Sequence, residues 1–258
     1  MKTLYFTGTG NSLYVAKRIG GELLSIPRLL ADKKFDIQDD AVGLVYPCYG
    51  LGTPRIVREY LRQSRLKADY FFAVITMGGG AMSALRNMEK EGRAAGITFS
   101  YTNEIAMSGN YLPMSDMAAE VAKEPSKGIE KKLDLIRADI AARKKQLVRK
   151  NFGSDLLSAL MTHLGPRLWM DNADRKFHVD EKCNACGACA KVCPVNNIKL
   201  DPKPQYLHHC EGCFGCVNNC PQGAIHHKSE KSGARFRNSH IELAELIAAN
   251  DMTERTGK

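Results

Sequence analysis

The stretch KTLYFTGTGNSLYVAKRI, residues 2–19, decides the fold. An apolar run over residues 2–7 indicates a buried strand, and the apolar spacing after residue 12 indicates a helix. Between them the chain places backbone N–H groups and hydroxyls at a helix N-terminus, where an anion is stabilised. The sequence therefore predicts a phosphate site in this first-turn loop, which consists of Thr7, Gly8, Thr9, Gly10, Asn11 and Ser12.

Two common nucleotide sites do not fit the first-turn loop. Gly8 and Gly10 begin a G-x-G-x-x-G pattern, but Leu13 stands where the third glycine belongs, and no acidic residue follows near Arg28. No G-K-[ST] follows either, which excludes the phosphate loop of nucleoside triphosphatases. A Thr- and Gly-rich turn with no ligand is the remaining alternative.

Residues 1 to about 107 alternate short apolar strands with helical stretches, which predicts a doubly wound α/β domain with a parallel sheet between helices. The predicted strands cover residues 2–7, 41–46, 69–77 and 97–107. The predicted helices cover residues 12–24, 54–65 and 81–95.

The first-turn loop resembles the T-x-T-G-N-T loop of flavodoxins, with Ser12 in the last position. That resemblance implies a sheet of order 2-1-3-4-5 and FMN as the ligand, its ring lying against loops after later strands. Tyr49 or Tyr111 would then stack on the ring. Cys48 would either tune the flavin as a thiol or, the favoured interpretation, fill space as a small buried packing residue. The ring contacts that the resemblance implies are Pro47, Cys48, Tyr49, Gly50, Met77, Gly78, Gly79, Gly80, Asn110 and Tyr111.

Eight of the nine cysteines form two identical C-x2-C-x2-C-x3-C-P runs. Three cysteines two residues apart can wrap one cubane, while the fourth is carried off on a helix and reaches a different cubane. The first [4Fe-4S] cluster is therefore expected on a first quartet, Cys183, Cys186, Cys189 and Cys220. The second is expected on a second quartet, Cys210, Cys213, Cys216 and Cys193.

Structural zinc and disulfides are the alternatives for these cysteines. Zinc sites use two ligand pairs separated by a spacer, without a third C-x2 step or a trailing Cys-Pro, and a disulfide framework would be spread through a small domain. Four histidines flank the runs, but complete quartets leave no iron for them to bind. They are His208, His209, His226 and His227.

Residues 177–226 resemble the bacterial two-cluster ferredoxins, which implies low-potential one-electron transfer. Nearly the whole chain resembles the EFR1-type flavodoxin–ferredoxin fusions of anaerobic bacteria, which implies a relay between clusters, FMN and a redox partner in an oxygen-poor cytoplasm. The alternatives are an FMN-dependent reductase of a small organic substrate and a redox sensor. The expected parts are a flavodoxin-like domain (1–110), a helical connector (111–175), a ferredoxin domain (176–228) and a tail with a short helix (229–258).

Composition limits the remaining choices. The chain has 258 residues, 44% of them hydrophobic and 25% charged, and a net charge of +9, which suits an acidic redox partner. Much of the excess lies within residues 127–150, where helical apolar spacing favours an amphipathic helix with a basic face over a nucleic-acid surface. Because no apolar run reaches membrane-spanning length and no signal peptide begins the chain, we expect a cytoplasmic protein.

Overall fold

A computed structural model describes residues 1–50, 52–79, 84–147 and 173–252. Its main feature is a five-stranded parallel sheet of order β2-β1-β4-β6-β7, which is 2-1-3-4-5 when counted within the sheet, as predicted. The strands of this sheet are β1 (Lys2–Tyr5), β2 (Glu22–Ser25), β4 (Ala41–Pro47), β6 (Tyr70–Met77) and β7 (Tyr101–Ala106).

Helices cover both faces of the sheet, so the central strands β4 and β6 are almost continuously buried and apolar. One face packs on residues of α2, α3 and α4, and the other on residues of α1, α6 and α9. The helices are α1 (Asn11–Ile19), α2 (Ile26–Ala31), α3 (Arg55–Gln63), α4 (Ala84–Ala94), α5 (Met117–Lys123), α6 (Ile129–Ala141), α7 (Ala188–Lys191), α8 (Gly215–Asn218) and α9 (Leu243–Asn250).

The C-terminal region is a small α+β unit built around the cysteine runs. Two antiparallel strand pairs frame it, and the short helices α7 and α8 follow the two cysteine loops and contact each other. The pairs are β8 (Phe177–Val179) with β11 (Ile225–His227), and β9 (Ile198–Asp201) with β10 (Lys203–Tyr206). The tail then returns to the sheet, where α9 contacts α2 and α7.

Part of the basic segment forms α6, as its spacing predicts, but the helix ends at Ala141, before Leu147. Leu133, Ile136 and Ile140 are buried against the sheet, while Lys131 and Arg137 are exposed. The second amphipathic helix predicted over residues 154–164 lies outside the described residues. In the described ranges no helix has both the length and the apolar character needed to cross a membrane.

The structure departs from the prediction in two predicted elements and in one unpredicted strand pair. The helix predicted over residues 12–24 ends at Ile19, because Gly20 and Gly21 take φ values of 94° and 83°, and β2 follows. The strand predicted over residues 97–107 begins only at Tyr101. A separate parallel pair, β3 (Asp36–Gln38) with β5 (Arg65–Lys67), was not predicted because its polar residues give no apolar run.

Candidate metal centres

The first quartet reaches the surface. Cys183 and Cys186 come from the loop before α7, Cys189 lies in α7 itself, and Cys220 follows α8, so the two cysteine runs supply this group jointly. All four line one pocket, together with Leu200. The side chain of Cys186 is exposed, whereas Cys189 is buried.

The second quartet is buried throughout. Cys210, Cys213 and Cys216 each lie close enough to Cys193 for their charges to interact. Burial raises the pKa of the Cys210 thiol to about 12 and that of Cys213 and Cys216 well above the usual range. Thiolates at this position therefore need the positive charge of a bound metal.

Backbone N–H groups hold sulfur atoms of both quartets in place. Such bonds stabilise thiolate ligands and fix their direction. They run from Asn197 to Cys193 Sγ (3.2 Å), from Gly212 to Cys210 Sγ (3.3 Å), from Gly215 to Cys213 Sγ (3.4 Å) and from Ala224 to Cys220 Sγ (3.4 Å).

The arrangement of the cysteines favours a cubane over zinc. Across residues 1–50, 52–79, 84–147 and 173–252, no three His, Cys, Asp or Glu side chains converge as the ligands of a single metal ion must. A cubane has four separate iron atoms, each of which takes its own thiolate, and each quartet supplies four cysteines to one place. The flanking histidines have other contacts, such as those of His226 with Asp180 and Glu230.

The first-turn loop follows β1 and runs into the first turn of α1, as predicted, but its hydroxyls already have protein partners. Thr7 Oγ1 accepts from the Gly10 N–H at 3.0 Å, and the Ser12 and Thr76 hydroxyls are bonded at 2.8 Å. Thr9 Oγ1 accepts from the Asn110 side-chain amide at 3.2 Å. Thr7, Thr9 and Ser12 are all buried.

Three further asparagines from the C-terminal half of the chain close over the same loop. The Asn219 side chain donates to the Gly8 carbonyl oxygen at 3.3 Å, and the Asn250 side chain donates to the Thr7 carbonyl oxygen at 2.9 Å. The Asn238 N–H donates to the Thr9 carbonyl oxygen at 2.9 Å. The sequence did not single out these residues, because asparagine in loops and caps has many other uses.

The second cysteine loop, residues 210–216, sits directly on the first-turn loop. A β-carbon added at Gly8 would lie 2.8 Å from the Cys213 carbonyl oxygen and 2.8 Å from the Tyr49 hydroxyl. A β-carbon added at Gly215 would lie 3.0 Å from the Gly8 carbonyl oxygen. A phosphate held against this side of Gly8 would meet the same atoms as the added β-carbon, so FMN does not fit there as the loop is folded.

The residues predicted to contact a flavin ring do not form one open site. Tyr49 is buried and meets Phe6 edge-on, with ring centroids 6.1 Å apart, and Tyr111 meets Phe214 edge-on at 5.2 Å. Cys48 packs against the main core beside the half-buried Pro47, which agrees with the packing role. Of the others, Gly50 and Met77 are half-buried, Gly78 and Gly79 are exposed, and Gly80 lies outside the described residues.

Glu211 joins the second cysteine loop to the sheet domain. Its carboxylate oxygens accept from the Arg55 N–H at 2.7 Å and the Ile56 N–H at 3.3 Å, at the start of α3. Burial raises the pKa of this carboxyl group to about 7. No sequence pattern marked this contact, because its two partners are far apart along the chain.

Comparison with known proteins supports the iron–sulfur assignment. A family model for a 4Fe-4S binding domain matches residues 177–199. The chain is 41% identical over 51 residues to the polyferredoxin protein MvhB of Methanothermus fervidus, covering 19% of this chain and 12% of that protein. It is 37% identical over 49 residues to pyruvate synthase subunit PorD of Methanocaldococcus jannaschii, covering 18% of this chain and 57% of that protein. The chain thus spans less than two thirds of either relative.

Among solved structures, the Trp repressor binding protein from Bacillus subtilis is similar over 58% of this chain and 100% of its own, with a TM-score of 0.33 and 9% identity. The sheet order itself is that of the flavodoxin-like fold. The chain therefore joins a flavodoxin-like sheet domain to a ferredoxin-like region that contains a 4Fe-4S binding domain.

Proposed function

We propose that this protein is a one-electron carrier with two [4Fe-4S] clusters, which works with a redox protein partner in the oxygen-poor cytoplasm that its resemblance implies. The observation that carries the proposal is the crossed gathering of the cysteines, in which each run supplies three members of one quartet and one of the other. Clusters of this kind pass single electrons at low potential.

The two quartets differ in exposure, and this sets the route of the electron. Cys186 is exposed at the first quartet, whereas all four cysteines of the second are less than a tenth exposed. We propose that partners exchange electrons at the first cluster and that the second cluster holds or receives an electron inside the protein.

FMN has no step in this proposal. The relay to a flavin that the resemblance implies needs an open phosphate loop, and here the second cysteine loop occupies that place. The FMN-dependent reductase meets the same obstacle, since its substrate would have to reach a flavin at the same site.

The experiment is metal analysis of protein purified without oxygen. We expect about eight iron atoms and about eight acid-labile sulfides per chain. Stoichiometric zinc without sulfide would contradict the proposal, and so would about four iron atoms per chain that do not increase when the partly unfolded protein is reconstituted with iron and sulfide.

A further inference from the structure

We propose that the first-turn loop, together with Tyr49, encloses the second cluster in place of a flavin phosphate, so that the folded protein binds no FMN. This inference rests on the proposed function, because it requires a cluster on the second quartet. It assigns the flavodoxin-like domain a role in covering and tuning that cluster.

The first argument is contact. Gly8 lies against both the Cys213 carbonyl oxygen and the Tyr49 hydroxyl, and Gly215 lies against Gly8. On the other side of the loop, a β-carbon added at Gly10 would lie 3.0 Å from the Asn238 β-carbon. Gly8 and Gly10, which would let a phosphate approach the backbone of the first-turn loop, instead let the segments around Cys213 and Asn238 approach that backbone.

The second argument is hydrogen bonding across the contact. Asn110 lies at its centre, because its side-chain amide donates to Thr9 Oγ1 at 3.2 Å and to the Cys213 carbonyl oxygen at 3.2 Å. Asn219, the residue that follows α8, donates to the Gly8 carbonyl oxygen. Binding a phosphate would break these bonds and leave buried polar groups unpaired, which is costly.

The third argument is the buried hydroxyl of Tyr49. In the part of the chain that the structure describes, this oxygen has no hydrogen-bond partner of ordinary geometry, although the Asn110 amide lies beside it. The ionisable groups close enough to act on it electrostatically include the thiols of Cys213 and Cys210 and the carboxyl group of Glu211. A buried O–H requires an acceptor, and the sulfur atoms of a bound cluster would supply one.

A hydrogen bond from Tyr49 would make reduction of the second cluster easier. Reduction adds negative charge to the cluster, and a donor directed at its sulfur atoms stabilises that charge. Tyr49 is therefore a positioning and tuning residue for the second cluster rather than a platform for a flavin ring.

The first test is an FMN titration of the cluster-loaded wild-type protein, followed by flavin fluorescence. We expect no quenching and no protein-bound flavin after gel filtration. Stoichiometric FMN binding with both clusters intact would overturn the inference and leave the iron–sulfur proposal standing.

The second test is Tyr49→Phe, which removes only the hydroxyl. In a redox titration we expect one of the two midpoint potentials to move to a lower value while the other stays. The matched control is Tyr60→Phe, since the Tyr60 hydroxyl is also in the sheet domain but donates to the Lys34 carbonyl oxygen. Two unchanged potentials in Tyr49→Phe would contradict the inference.

The third test is Gly8→Ala, with Gly233→Ala as control, because an added β-carbon at Gly233 meets no atom within 4 Å. We expect Gly8→Ala to lose iron from one cluster and the control to keep its full content. Gly8→Ala with full iron and unaltered potentials would count against the contact. If this variant fails to fold, Tyr49→Phe still decides. Absence of iron and sulfide from wild type would instead refute the proposed function itself.

Discussion

At the scale of single residues, Cys193 and Cys220 tie the two halves of the cysteine repeat together. Each follows a one-turn helix, α7 or α8, and that turn carries it away from its own loop. Cys193 is buried with the second loop, and Cys220 lines the pocket of the first. Neither quartet is complete without a residue from the other run.

Replacing these two cysteines should therefore have crossed effects. We expect Cys193→Ser to lose the cluster of the second loop and Cys220→Ser that of the first, each retaining about four of the eight iron atoms. Iron analysis with spectroscopic assignment of the remaining cluster provides the measurement. Cys48→Ser, which lies outside both quartets, should keep all the iron. If each substitution instead removed the cluster held by the loop of its own cysteine run, crossed ligation would be refuted.

The sequence indicated the cysteines and Asn110, but not Asn219 and Asn250, which also contact the first-turn loop. Cysteine spacing has few chemical interpretations, because a cubane requires thiolates at particular places along a loop. Hydroxyls and glycines at a strand–helix turn have two chemical interpretations. They can bind a phosphate, or they can pack closely against another segment of backbone. Only the position of Gly8 against Cys213 distinguishes these uses.

At the scale of elements, helix α3 begins without a cap of its own. Pro54 stands at its N-cap and makes no side-chain hydrogen bond, so the first N–H groups need another acceptor. Glu211 supplies it from the second cysteine loop, by accepting from Arg55 and Ile56. The contact between the ferredoxin-like region and the sheet thus also completes a helix end.

Glu211→Ala should lower the stability of the protein by about 1 kcal/mol, a typical loss for a removed helix cap. Thermal unfolding of the cluster-loaded protein would measure this loss of stability. Glu211→Gln should lose less stability, because its amide oxygen can still accept a hydrogen bond. Glu59→Ala is the control on the same helix, since Glu59 is exposed. Equal melting temperatures for wild type and Glu211→Ala would show that the cap contributes little.

The elements of the sheet domain were predictable where burial imposes a clear pattern. Strands β4 and β6 are covered on both faces, so each is an uninterrupted apolar run. Strand β2 was absorbed into a predicted helix, because four residues at the edge of the sheet, ELLS, do not establish a period of two. Gly20 and Gly21 were the local signal for that break.

At the scale of the whole molecule, charge and exposure act together. The chain carries a net charge of +9, and the first quartet is the one that reaches the surface. An acidic electron carrier should be attracted to the positively charged protein as a whole, and the first quartet is the one that it could reach.

The rate of electron exchange with an acidic one-electron donor should therefore fall as salt is added, by roughly tenfold between low and near-molar ionic strength. Stopped-flow reduction of the clusters at several salt concentrations would measure this. A small uncharged mediator is the control, and its rate of electron exchange should depend little on salt concentration. A rate that rises with salt for the acidic donor would contradict attraction.

The overall architecture followed from the sequence, but the docking of its parts did not. Alternating strands and helices predict a doubly wound sheet, and repeated cysteine runs predict a ferredoxin-like region, because both patterns are local. The surface where they meet depends on shape and on side chains distant in sequence, such as Asn219 and Gly8. A periodic pattern of apolar residues gives no information about a contact of this kind.

The burial of Cys213 also bears on whether the cluster is inserted before or after the ferredoxin-like region docks on the sheet domain. The Cys213 side chain is 7% exposed once the second cysteine loop lies on the first-turn loop, so no assembly scaffold can reach it then. We therefore expect iron and sulfide to enter the second quartet before the ferredoxin-like region docks, with docking as the closing step of maturation. Reconstitution of apoprotein would show this as a second cluster that forms only from a partly opened chain.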